Sequence, residues 1–134
     1  MEEFIKMTMT PFLIIGGLLT AVPIIVAVAP EKAVTQWLKL PWDEKYVVLF
    51  RHWGILVAMV GISLICCIFI KSLLFPVMVF STVQKILMVI LIFSYSKQAW
   101  IKGFRSIAVV DSLLAIYSLL YFAVLIGKNS IALY

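Results

Sequence analysis

Charge is scarce in this chain of 134 residues: 13% of the side chains are charged and 65% are hydrophobic, and the mean hydropathy is +1.18. A soluble domain is about half apolar and about one quarter charged, so too few charges remain to cover a water-facing surface. The single histidine excludes a bis-histidine haem and leaves no convergent set of metal ligands, and no cofactor is expected. Cysteine is limited to the adjacent Cys66 and Cys67 inside an apolar run. That excludes a disulfide scaffold and lacks C-x-x-C redox spacing. Phosphate-binding loops, G-x-S-x-G elbows and H-E-x-x-H helices are also missing. The net charge of +5 is no sign of nucleic-acid binding, because basic residues on so apolar a chain set membrane orientation and meet anionic headgroups.

What the chain has instead is long uncharged runs, between Lys6 and Glu31, between His52 and Lys71, and between Asp111 and Lys128. A helix needs about 20 apolar residues to cross the hydrocarbon core. Four spans meet that need, at 8–29, 46–70, 73–95 and 103–126. They predict one all-α membrane domain over 1–134, a four-transmembrane-helix antiparallel bundle. Pro23 lacks the N–H that would bond back one turn, so a kink is expected there. Ala27-Val28-Ala29 has the small-x-small pattern of a signal-peptide cleavage site. The length of the run, Pro30 after the would-be cut, and Glu2 and Glu3 beside Lys6 point to a retained span instead.

The longest connection, 30–45, places Ala33, Val34, Trp37 and Leu38 on one side of a short helix expected to lie along the membrane interface, with Trp37 and Trp42 at headgroup level. Orientation follows from Lys and Arg. One side carries Lys32, Lys39, Lys45, Lys97, Lys102 and Arg105, and the other Lys6, Lys71 and Lys128. The excess places the two longer loops in the cytoplasm and both termini outside it.

Five polar side chains interrupt the spans: Arg51 and His52 in the second, Gln84 and Lys85 in the third, Asp111 in the fourth. A charge at the bilayer centre costs roughly 2.5–3.5 kcal/mol on insertion scales, so these residues should face one another rather than lipid. At helical rise Arg51, Asp111 and Lys85 lie about 8, 12 and 15 Å from the loop side, so one intramembrane polar pocket can hold all five. Lys85 and Asp111 should pair. The positive remainder from Arg51, with the titratable His52, favours an anionic guest. Small residues repeat at helical spacing in three spans: Gly16, Gly17, Thr20 and Ala21 in the first, Gly54, Ala58 and Gly61 in the second, Ala108, Ala115 and Ser118 in the fourth. Such stripes let helices approach closely, and the first span's role is expected to be packing.

The run Arg51-His52-Trp53-Gly54, the pair Gln84-Lys85 and the run Val109-Val110-Asp111-Ser112 resemble a group of small uncharacterised bacterial four-helix integral membrane proteins, DoxX-like in appearance. The resemblance implies the same four-helix fold and a bacterial inner-membrane location, and brings no reaction with it. The expected function is to bind or move an amphipathic or anionic small molecule of the lipid or quinone class. Two rivals stand beside it. One is a membrane enzyme for a lipid-soluble substrate, with His52 as acid or base and Arg51 as anion stabiliser. The other is an accessory subunit without a ligand. Membrane lipids, a hydrophobic ligand and a second copy of the chain are the expected partners.

Overall fold

The structure, a computed structural model, describes residues 2–127; Lys128, counted above on the termini side, lies outside them. Four helical stretches are long and apolar enough to cross a membrane: Glu2–Val28, Glu44–Cys66, Lys71–Ser94 and Ala99–Gly127. The first divides into α1 (Glu2–Ala21) and α2 (Ile24–Val28), and α3 (Pro30–Lys32) with a π-helical turn (Ala33–Trp37) follows in the loop. The remaining spans are α4 (Val47–Cys66), α5 (Leu74–Ser94) and α6 (Arg105–Gly127), the last entered through a 3-10 stretch at Ala99–Phe104. Among the described residues no strand occurs, and the architecture is the all-α membrane bundle expected. The first span starts earlier than expected, at Glu2 rather than near position 8, because Lys6 pairs with Glu2 at 2.8 Å one turn away and extends the helix into the polar region.

The break at Val22–Pro23 follows from proline chemistry. Pro23 offers no N–H to the Leu19 carbonyl, which receives a 3.4 Å bond from Val22 N; tighter three-residue turn bonds follow, Ile25 N to Val22 O at 3.1 Å and Val26 N to Pro23 O at 2.9 Å, and a four-residue α-helical bond is made by Ala29 N to Ile25 O at 2.8 Å. Close helix packing begins at the same point. A Cβ built on Gly54 would stand 2.6 Å from Pro23 O and 2.9 Å from Ala27 N, and one built on Gly61 would stand 2.6 Å from Ala21 N and against Gly17 O. Seven residues apart on one face of α4, these glycines bring its backbone against α1 and α2, as the small-residue stripes require. On the opposite flank α1 meets α6 through Phe12 stacked on Tyr117 at 4.0 Å, and the Thr8 and Tyr117 hydroxyls share a 2.7 Å hydrogen bond.

Apolar clusters occupy the two ends. At the termini end Ile5, Leu13, Leu64, Cys67, Leu74, Met78 and Tyr121 pack together. At the loop end Val26, Ala33, Val34 and Leu38 pack with Phe50, Trp53 and Phe104. This corrects the expectation for the 30–45 connection: its apolar side does not lie flat on the interface but turns inward over the helix ends. Two local features allow the turn. Gly103 has no Cβ, so its backbone sits directly against the Leu38 backbone, and Lys39 takes φ 58°, reversing the chain so that Leu40 N reaches Val34 O at 3.1 Å. Trp42 stays beside Phe50 at 6.2 Å, whereas half-buried Trp37 joins the interior.

Candidate functional site

A polar layer lies between the two apolar ends. Lys85, near the middle of α5, is 2% exposed, and its ammonium donates to Asp111 Oδ1 of α6 at 3.2 Å and to Thr20 Oγ1 of α1 at 2.9 Å. Three spans therefore converge on one nitrogen. The pairing of Lys85 with Asp111 that insertion cost demands is present, and Thr20 is an added acceptor whose place in the first span had suggested packing alone. An ammonium has three donors, so one N–H of Lys85 remains after these two bonds.

Beside this cluster the break in the first span opens a cavity of about 230 Å³. Its polar lining comes from Thr20, Gln84, Ser106 and Asp111, and Trp37 and Trp53 supply aromatic walls. Leu19, Val22 and Ser106 belong to the lining yet are exposed on the outer surface, so the mouth faces sideways between the first span and α6. A site for a drug-sized molecule measures roughly 300–1,000 Å³. This one is smaller, with room for no more than a head group or a small ring.

The Gln84 amide makes the lining chemically incomplete. Its Oε1 is sealed from solvent and has no hydrogen-bond partner among the described residues. An orphaned buried acceptor typically costs about 1–3 kcal/mol. Asp111 adds to the demand for donors: Oδ1 is engaged by Lys85, while the side chain keeps 15% exposure where it borders the cavity.

Of the five residues expected to share a pocket, the structure brings together Gln84, Lys85 and Asp111, and leaves Arg51 and His52 outside. Both are exposed near the start of α4. Gly54 packs against Pro23 and Ala27, and Arg51, one turn closer to the loop, is on the outer surface beyond that contact. A guanidinium about 6 Å from the helix end by helical rise reaches headgroups readily. Sequence reasoning missed Trp37, Trp53 and Thr20 as cavity residues. The only available signals were the i, i+4 relation of Ala33 to Trp37 and the place of Thr20 one turn before Pro23.

Compared with known proteins, the chain matches no family model, no curated protein and no solved structure.

Proposed function

We propose that this is a small multi-pass protein of the bacterial inner (plasma) membrane that binds or moves an amphipathic or anionic small molecule of the lipid or quinone class, taking its head group into the cavity beside Lys85 and Asp111. One observation carries the reading: Asp111, held by the buried Lys85 behind it, and the Gln84 side chain line a sideways-opening space. An ion pair that served helix register alone would need no adjoining cavity and no orphaned amide. The membrane-enzyme reading rested on His52, whose exposed position outside the cavity lends it no support. The resemblance noted above favours a bacterial membrane, and the lysine and arginine asymmetry favours cytoplasmic loops with both termini outside.

Mass spectrometry of the protein extracted in mild detergent tests the binding reading. The wild type should release a bound amphipathic molecule, and Val57→Phe, which adds a ring to the cavity wall, should lose most of it without loss of folded protein. An obligate protein partner with no small molecule in either sample would favour the accessory-subunit reading. Orientation has its own test. A reporter that works only outside the cytoplasm, fused after Tyr134, should be active. Activity of a cytoplasm-only reporter there would invert the topology and move the cavity to the other leaflet.

A further inference from the structure

We infer that a second groove, at the termini end of the bundle, binds one anionic phospholipid, with Lys71 and Lys6 on its phosphate and the first carbons of a chain over an apolar floor. The groove has a volume of about 290 Å³ and is walled by the first turns of α1, the start of α5 and the last turns of α6. From α1 it takes Glu2, Ile5, Lys6, Met9 and Thr10, whose spacing of i, i+3, i+4, i+7 and i+8 is that of one helix face. That face changes character along its length, charged in the first turn and apolar with one hydroxyl in the next. Across the groove Lys71 opens the 3-10 turn Lys71–Leu73 that leads into α5 at Leu74. Charge therefore rims the groove at the level of the helix ends, and the buried side chains of Ile5, Leu74 and Tyr121 make its floor. Helix ends of a membrane protein meet the lipid headgroups, so a guest at this level with a charged head and an apolar continuation is a lipid.

Charge selects the head. Lys6 pairs with Glu2 at 2.8 Å, so these two cancel. Lys71 is exposed and has no ion pair among the described residues, and Glu2 is the one carboxylate in the lining, so the rim carries one net positive charge. Its complement is a phosphate diester whose head carries no cation. A zwitterionic head brings its own ammonium and leaves Lys71 unmatched. Lysine binds phosphate as a point charge, and Thr10, exposed on the same face about 6 Å further along the axis, adds a hydroxyl donor for the ester oxygens that follow the phosphate. The volume is below that of a drug-sized site, so the groove takes the phosphate and the start of one chain while the rest of the lipid stays in the bilayer. None of this depends on the cavity beside Asp111, which shares no lining residue with the groove.

Native mass spectrometry of the full-length protein in mild detergent supplies the test, with dioleoyl phosphatidylglycerol, dioleoyl phosphatidylcholine and oleate added separately. The first phosphatidylglycerol should bind about fivefold more tightly than phosphatidylcholine, the factor expected of one basic residue near the headgroups. Lys71→Gln should remove that preference, and Lys71→Glu should reverse it. Lys71 is exposed and outside the buried core, so both variants should keep the wild-type thermal midpoint in lipid-free detergent and stay informative as folded proteins. Lys97→Gln is the control, since this exposed lysine belongs to the loop end and does not line the groove; the preference should survive it. A wild type without preference, or a preference indifferent to Lys71→Gln, overturns the inference. So does Lys97→Gln acting as strongly as Lys71→Gln, because the charge would then be felt over the whole surface and not at one site. Oleate that binds as tightly as phosphatidylglycerol and responds equally to Lys71→Gln overturns the phospholipid assignment in favour of a fatty-acid carboxylate.

Discussion

Lys85→Met and Asp111→Leu are each expected to lower the thermal midpoint in detergent by a large margin, and the double substitution to recover much of the loss. Removing one member of a buried pair typically costs about 3–5 kcal/mol, because the survivor is stranded in a medium that solvates it poorly. The two single losses should differ. Asp111→Leu strands an ammonium that is 3% exposed near the middle of α5, with Thr20 as its one remaining neutral partner. Lys85→Met strands a carboxylate that is 15% exposed and borders a cavity open to the side. A hydrogen bond from a charged donor contributes about 1.5–3 kcal/mol, below what the broken pair costs, so Thr20 offsets only part of the lysine's deeper burial, and Asp111→Leu should be the more damaging change. A thermal double-mutant cycle measures the coupling directly, and strictly additive losses would remove the pair from the account. The double variant also separates two roles. Folded but empty, it shows that the pair serves the guest; folded and loaded, it shows that the pair sets helix register alone.

Gly61→Leu should be nearly as destructive, for a reason unrelated to charge. Within lipid the hydrophobic effect does not drive helices together, so association depends on close packing and on interhelical hydrogen bonds. At Gly61 even a Cβ would collide with backbone atoms of Gly17 and Ala21, which cannot rotate away as the end of a flexible side chain could. Overpacking commonly costs about 1–3 kcal/mol and more where the backbone must shift, so the α1–α4 contact should separate. The expected result is loss of the monodisperse peak on size exclusion and a thermal midpoint well below that of the wild type. Gly127 provides the control, since no described residue lies within 4 Å of a Cβ placed there. Gly127→Leu should behave as wild type, and if Gly61→Leu does so as well, the close crossing is not what holds these two spans together.

Much of this molecule can be read from single segments. The four spans follow from the length of apolar runs against membrane thickness, the break in the first span from the missing N–H of Pro23, and the close crossing from glycines seven residues apart on α4. The pairing of Lys85 with Asp111 was also legible. Insertion cost forbids either residue from facing lipid, and counting residues from the loop ends puts both at similar depth. These are properties of one helix, or of two helices compared only by depth.

Only the tertiary structure decided which faces meet and where each neighbour stops. Arg51 follows Gly54 and Ala58 in helical spacing, yet it is exposed and lies outside the cavity. Trp37 turned from an expected interface anchor into a cavity wall because Gly103 and the left-handed Lys39 let the connection fold inward. Thr20 became a partner of Lys85 through the relative rotation of α1 and α5, two spans that are not consecutive in the chain. Depth in a membrane is a sum along one helix, and sequence supplies it. Rotation about the helix axis and the level at which a neighbour ends are set by side-chain packing between helices, so they appear only once all four spans are placed together.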